Sequence, residues 1–316
     1  MAANEPQKSA SSLAENYINI RYQTDFYQKP FASFVGDHSE WYRYKFLSVQ
    51  AIPHWMFSVE NIRGIIIEAI NQGNYIFCNV NTKYISNYEN YGQEDKRHSI
   101  TIYGYSGDEL LICDYFDYQI RQNGKCSFVE FTYALLDYIA GVQENRNTFL
   151  PSVIDHLNGV LLFKPRADAE KFEPSKMLYE LRSFLEPDIL LQQNQKISYG
   201  IGFFTTFCDF LKSKDNNYTH INPVKSLQLI YTHALLMEMR VRYVNKNYFE
   251  NIQSLHDGFK ELRMTANIIR NSYIKAAFLE LKNMGFYSQL ALQIYEFYRK
   301  YQELIYLFAQ NLNYLI

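Results

Sequence analysis

The spacing of apolar residues changes along the chain, and this change limits the folds that the chain can adopt. Up to about residue 165, helical segments alternate with short strand-like runs, of which the clearest cover residues 75–80, 98–105 and 109–115. Alternation with a period of two is typical of half-buried strands. From about residue 175, apolar residues recur at helical spacing instead. The sequence therefore predicts an α+β protein with a mixed first domain, residues 14–165, and a helical domain or bundle, residues 166–316.

Local signals predict where several elements begin and end. Ser127 and Glu130 have capping-box spacing, which predicts a helix that ends near Gly141. Ser58 can cap a helix that stops near Gly73. A strand is also predicted at 160–163, and further helices at 174–185, 198–213, 222–243, 246–283 and 288–313.

Composition excludes several classes of protein. The 316 residues include 28 Tyr, 23 Phe and 2 Trp, and the formal net charge is −2. The aromatic content argues against wholesale disorder, and the charge balance disfavours a strongly basic nucleic-acid binder. The four cysteines lack the paired spacing of a zinc knuckle, so no metal or cofactor is predicted. A polar start and no long apolar run predict a cytoplasmic protein without a membrane segment.

The segment that carries candidate chemistry is a hairpin that starts at His98 and returns through Asp114. A carboxylate beside a histidine fixes the imidazole tautomer and stabilises the imidazolium, which suits a general base. A three-residue turn at 106–108 would pair Ile100 with Asp114 and put His98 on the same face. A two-residue turn would set Asp117 opposite His98 instead. Three-residue hairpin loops that contain glycine are common, so Asp114 is the predicted partner. A surface histidine near an unrelated aspartate stays the alternative.

Here the residues resemble a known family. The run His98-Ser-Ile-Thr-Ile-Tyr-Gly-Tyr105, followed by Asp114-Tyr115, resembles the histidine strand of papain-like cysteine enzymes, including bacteriocin-leader peptidases. Residues 20–140 are still more similar to papain-fold proteins of nonribosomal peptide and aminoglycoside gene clusters. That group includes the butirosin side-chain acyltransferase and the amide-forming enzyme of closthioamide assembly. The resemblance implies a papain-like N-terminal domain.

The resemblance also implies a reaction and its partners. Such enzymes take an acyl group from a phosphopantetheine thioester on a carrier protein onto a cysteine thiolate, and pass it to a small amine. The leading prediction is therefore a thiol-dependent acyltransferase, without nucleic-acid or membrane partners. A cysteine peptidase or thioesterase that uses water, and a catalytically dead binding or scaffold protein, are the alternatives. Gln28 stands where an oxyanion glutamine is expected, and the candidate acyl-pocket residues are Tyr84, Tyr88, Tyr91 and Tyr103.

The sequence departs from this family at the nucleophile. The expected cysteine belongs at the start of an early helix, and Ala32 stands at the matching place. Four explanations stay open: an introduced Cys-to-Ala change, a natural pseudoenzyme, Ser33 as the nucleophile, or a wrong alignment. Basic residues near 240–275 form either a docking face for an acidic carrier-protein helix or an ordinary solvated face. His233 falls on an apolar helix face, which favours a structural role.

Overall fold

The structure is a computed structural model that describes residues 14–24, 31–35, 47–116, 122–144, 159–166, 172–192, 195–214, 223–249, 252–279 and 285–315. The strands in these residues are β1 (Ile20–Gln23), β2 (Phe31–Phe34), β3 (Leu47–Pro53), β4 (Tyr75–Asn81), β5 (Arg97–Ser106), β6 (Glu109–Asp114), β7 (Gln122–Ser127), β8 (Gly159–Pro165), β9 (Asp188–Gln192) and β10 (Gln195–Tyr199). The α-helices are α1 (Ile62–Asn71), α2 (Phe128–Gln143), α3 (Pro174–Leu185), α4 (Gly202–Lys214), α5 (Val224–Asn247), α6 (Gln253–Phe278) and α7 (Phe286–Asn313).

The chain forms two compact units, and the predicted α+β class is confirmed. The first unit consists mainly of His38–Ala169, and the second joins Ala2–Asp37 to Glu170–Ile316. The predicted first domain began at residue 14, whereas the structure assigns that N-terminal segment to the second unit. The physical reason is strand pairing: β1 lies antiparallel to β10, with Arg21 opposite Tyr199.

The first unit is built on a six-stranded antiparallel sheet in the order β3-β8-β4-β5-β6-β7. Helices α1 and α2 supply Ile66 and Phe131 to a core that includes Ile100 and Ile112 of the sheet. The predicted capping box at the start of α2 is confirmed, because Ser127 Oγ accepts from the Glu130 amide and the Glu130 carboxylate accepts from the Ser127 amide. The predicted helix before Gly73 is α1.

The second unit combines a four-stranded antiparallel sheet, in the order β2-β1-β10-β9, with helices α3 to α7. Its apolar core holds His233 in a fully buried position, as predicted for a structural histidine. The His233 Nε2–H donates to the Ile18 carbonyl at 2.6 Å, and Nδ1 accepts from the Tyr301 hydroxyl at 2.6 Å. Burial lowers the pKa of His233 to about 3, so this histidine is neutral at ordinary pH.

Two sequence-based expectations about the second unit are wrong in part. The helix predicted at 198–213 is strand β10 followed by α4, because residues 195–199 pair with β9 to form a hairpin. Ala32 lies inside strand β2, opposite Tyr22 of β1, and therefore does not begin a helix. Within the helices that the structure describes, none combines the length and hydrophobicity needed to cross a membrane.

Candidate active site

His98 and Asp114 form a close hydrogen-bonded pair at one end of the six-stranded sheet. His98 Nδ1 lies 2.7 Å from Asp114 Oδ2, and the Asp114 side chain is only 7% exposed. A carboxylate acceptor places the imidazole proton on Nδ1, so the neutral ring carries its lone pair on Nε2. The carboxylate also compensates positive charge on the ring. The pair therefore has the arrangement of a general base with its orienting group.

His98 and Asp114 share a face of the sheet, as predicted, but the predicted three-residue turn is not the reason. The hairpin turn has two residues, because Ser106 pairs with Glu109. A two-residue turn alone would turn Asp114 away from the face that carries His98. A β-bulge between Ile102 and Gly104 shifts the register by one residue, so Thr101 lies opposite Cys113. Tyr103 is the extra residue of this bulge, and it restores the predicted face of Asp114.

Tyr88 is a third member of the site. Its hydroxyl donates to Asp114 Oδ2, the same oxygen that accepts from His98. The Tyr88 side chain is 2% exposed and packs edge-on against Phe116, with ring centroids 5.2 Å apart. The sequence predicts Tyr88 only as a pocket residue, since no spacing rule links a loop tyrosine to a particular carboxylate. In the structure, Tyr88 is a hydrogen-bond donor that holds the Asp114 carboxylate in place.

The loop that carries Tyr88 is held in place by polar contacts at both ends. Asn81 Oδ1 accepts from the backbone amides of Lys83 and Lys96. The Ser86 amide donates to Glu130 Oε1 of α2 at 3.0 Å. Burial opposes ionisation of Glu130, but hydrogen bonds from Ser86 and Ser127 outweigh it and hold the Glu130 pKa below its ordinary value. One ionised carboxylate therefore caps α2 and anchors the loop.

The settings of the other three candidate pocket tyrosines differ from that of Tyr88. Tyr84 stacks on Tyr133 of α2, with ring centroids 6.3 Å apart. Tyr91 is 52% exposed in the same loop as Tyr88. Tyr103 lies five residues along β5 from His98, which is about 16 Å in an extended strand. Their proposed role as acyl-pocket residues stays a prediction.

The nucleophile position has a different setting from the one expected. Ala32 packs against the helical core of the second unit, from within an antiparallel strand. Ser33 is 6% exposed, and its hydroxyl accepts from Arg21 Nε at 3.0 Å, which is an ordinary cross-strand contact. Gln28 and Asp117 lie outside the described residues. The helix N-terminus that activates a cysteine nucleophile is therefore missing at position 32.

All four cysteines lie in the described residues. The surroundings of each argue against a role as the nucleophilic thiolate. Cys78 shares a sheet face with His98 but is fully buried, and burial raises its pKa. Burial also raises the pKa of Cys126 and of Cys208 to about 12. Cys113 adjoins Asp114 in β6, so its side chain faces the opposite side of the sheet. Among the described residues, no cluster of three or more metal-ligating side chains is found.

Several basic residues predicted for a docking face are used inside the helical unit. Arg240 is 1% exposed and donates to the Ala14 carbonyl at 3.2 Å. Arg242 and Arg263 both donate to the buried carboxylate of Glu238, at 2.8 and 2.5 Å. Hydrogen bonding to Glu238 also raises the pKa of Arg263. Arg263 therefore joins α6 to α5, and Arg240 joins α5 to the N-terminal segment, whereas Arg242 pairs within α5 and is 63% exposed.

Comparison of the sequence with models of known protein families and with curated proteins found no match. These comparisons therefore add nothing to the geometry of His98, Asp114 and Tyr88.

Proposed function

We propose that the chain is an acyltransferase that forms an amide by moving an acyl group from a carrier-protein thioester to a small amine. The observation that carries the proposal is the 2.7 Å hydrogen bond between His98 Nδ1 and Asp114 Oδ2. It makes Nε2 the basic nitrogen of the ring and compensates the charge of the imidazolium. The His98 side chain keeps 29% of its surface exposed, which allows a substrate to approach it.

A papain-like fold of the first unit is part of this proposal. It is supported by His98 near the start of β5, by Asp114 on the returning strand, and by helices packed on the sheet. The resemblance of residues 20–140 to papain-fold acyl-transfer enzymes supplies the donor. That donor is an acyl group held as a thioester by the phosphopantetheine arm of a carrier protein.

The reaction that these residues support needs no enzyme thiol. As the amine nitrogen attacks the thioester carbonyl, His98 Nε2 takes up the proton that the amine loses. The carbon–sulfur bond then breaks, and the imidazolium returns the proton to the departing phosphopantetheine sulfur. The products are an amide and a free carrier thiol. General acid–base catalysis of this kind contributes about 10²–10⁴-fold to a rate.

A binding protein without turnover is the second candidate. It is favoured by the four cysteines, none of which is a suitable nucleophile, and by Ala32 in the middle of a strand. Covalent acyl transfer of the papain type requires an activated thiolate. A thioesterase or peptidase would use the same histidine, with water in place of the amine.

The test is a mass measurement on a panel of acylated carrier proteins, each incubated with the protein in the presence and absence of diamines. The expected result is loss of the acyl group from the carrier together with a new amide, only when the amine is present. Acyl loss without amine would show hydrolysis. Stable binding to the acylated carrier without acyl loss would show the second candidate. The assignment would be refuted if the protein neither bound the acylated carrier nor removed its acyl group.

Site variants connect the activity to the proposed residues. His98→Gln and Asp114→Asn are expected to lower the rate of amide formation by about 10²-fold or more. The matched controls are His256→Gln and Asp108→Asn. His256 lies in the second unit, and Asp108 is 82% exposed in the hairpin turn. Equal losses in the controls and in the site variants would contradict the role of the pair.

A further inference from the structure

Strand β9 is an edge strand of the four-stranded sheet in the part of the chain that the structure describes. It pairs with β10 and, within the described residues, with no other strand. Three consecutive apolar side chains on it are exposed: Ile189 at 44%, Leu190 at 38% and Leu191 at 80%. An edge strand presents unpaired backbone amides and carbonyls, so an apolar edge is a template for pairing with another strand.

Apart from its short length and Asp188 at one end, β9 lacks the features that usually protect an edge. Its five residues, Asp-Ile-Leu-Leu-Gln, contain neither lysine nor proline. Its register with β10 runs without a bulge from Gln192 opposite Gln195 to Asp188 opposite Tyr199. The edge is therefore regular, as a strand partner requires.

We propose that β9 pairs antiparallel with β9 of a second copy of this chain, about a two-fold axis at Leu190. The two sheets would then form one continuous sheet of eight strands. The contact is isologous, as in most homodimers. This inference does not depend on the chemistry proposed for His98.

The sequence of β9 favours a second copy as the occupant of this edge. In the centred register, Leu190 faces its own copy and Ile189 faces Leu191 of the second copy. The polar ends also match, because Asp188 faces Gln192 and no like charges meet. A shift by one residue would place either Asp188 opposite Leu191 or Ile189 opposite Gln192, and would leave one residue of each strand unpaired. The strand is therefore self-complementary in a single register. Because a five-residue strand offers a small contact, we expect a dimer that forms with increasing concentration.

Cross-linking of cysteine variants tests both the dimer and its register. Directly opposite residues of an antiparallel pair have Cβ atoms about 4.5–5.5 Å apart, close to disulfide geometry. Leu190→Cys is therefore expected to form a disulfide-linked dimer under mild oxidation. Asp188→Cys alone and Gln192→Cys alone are expected not to do so, since each lies about 13 Å from its own copy. A mixture of these two variants is expected to cross-link.

A second measurement keeps the test independent of disulfide chemistry. Sedimentation equilibrium of the full chain should show a mass that rises with concentration, and Leu190→Lys should abolish the rise. The matched control is Leu292→Lys, which adds the same charge at a leucine of α7 that is 55% exposed. A monomer at every concentration would overturn the proposal. The partner of the β9 edge would then be an extended segment of another protein. Cross-linking of all single variants, or a dimer that survives Leu190→Lys, would overturn it as well.

Discussion

Tyr88 donates a hydrogen bond to the oxygen of Asp114 that also accepts from His98. The carboxylate is thereby held by one donor from a loop and one from a strand. Because the Asp114 side chain is 7% exposed, protein groups largely replace water around it. The position of the imidazole thus depends on the loop as well as on the sheet.

Removal of the Tyr88 hydroxyl should disturb the base without unfolding the unit. For Tyr88→Phe we expect about a tenfold loss of rate and a loss of ~1–3 kcal/mol in the free energy of unfolding. The control is Tyr91→Phe, which changes an exposed tyrosine of the same loop. The low-field proton resonance of His98 Nδ1–H should move in Tyr88→Phe and stay in place in Tyr91→Phe. A resonance unchanged in both would contradict a positioning role.

Deletion of Tyr103 should leave the His98–Asp114 pair intact. Because Tyr103 is the extra residue of the bulge, its removal converts the hairpin into a regular ladder and keeps Ile102 opposite Ile112. Deletion of Thr101 instead turns the preceding residues, including His98 and Ile100, to the other face. Urea unfolding and the His98 resonance should show a folded protein with the pair after the first deletion. After the second deletion, the core of the unit should be lost.

A cysteine introduced at position 32 should not become a reactive thiolate. Ala32 lies in a strand and packs against an apolar core, so it lacks the helix N-terminus that favours ionisation of a thiol. We expect Ala32→Cys to react slowly with an iodoacetamide probe, at a rate that His98→Gln does not change. Rapid labelling that depends on His98, or acylation of the new cysteine by a thioester donor, would restore position 32 as the nucleophile.

Gly124 should tolerate no larger side chain, because it lies against the aromatic support of Tyr88. A Cβ atom there would lie 2.8 Å from Phe116 Cε2 and 2.8 Å from Asn87 Nδ2. We expect Gly124→Ala to cost ~1–3 kcal/mol through overpacking. The control is Gly64→Ala in α1, where nothing lies within 4 Å of the added atom. That change should stabilise the protein by ~0.5–1 kcal/mol. Equal effects in denaturant unfolding would contradict this packing.

The free energy of unfolding should decrease as the pH is lowered, because His233 is buried in its neutral form. Its pKa is about 3 in the folded protein, against an ordinary value of 6.5, so the unfolded chain binds the proton more readily. The neutral form contributes its full stability above pH 6.5, and this contribution is lost as the pH falls toward 3. At pH 5 we expect a loss of ~2 kcal/mol relative to pH 7. The loss should be smaller in His233→Gln and unchanged in His256→Gln. Identical pH profiles in all three proteins would refute this explanation.

The sequence predicted local features of the fold well and distant pairings poorly. The capping box of Ser127 and Glu130 was readable because both residues lie within one helical turn. The pairing of β1 with β10 was missed, because neither strand shows its partner in its own sequence. The same limit explains why the sequence wrongly predicts a helix start at Ala32. A helix start and a short strand of small and aromatic residues have similar sequences, and only the partner strand distinguishes them.

At the site, one relationship was predicted for the wrong reason. The sequence favours Asp114 over Asp117 on the basis of a three-residue turn, whereas the turn has two residues. The bulge at Tyr103 shifts the register by one residue, so Asp114 still shares a face with His98. A bulge of this kind is invisible to alternation rules, since the apolar residues on either side keep a strand-like pattern. The Tyr88 contact was unpredictable for a similar reason, as it depends on how a long loop returns to the sheet.

The division of the chain has a consequence for how the protein is made. Because residues before His38 and after Ala169 build one unit together, the unit that carries His98 is an insertion within the other. During synthesis the inserted unit is complete before β10 has been translated, so it can fold as a separate body. Strand β1 can pair with β2 at this stage, but its second partner, β10, is translated only after the inserted unit. The time for which β1 lacks its second partner therefore depends on how long the ribosome takes to translate the inserted unit.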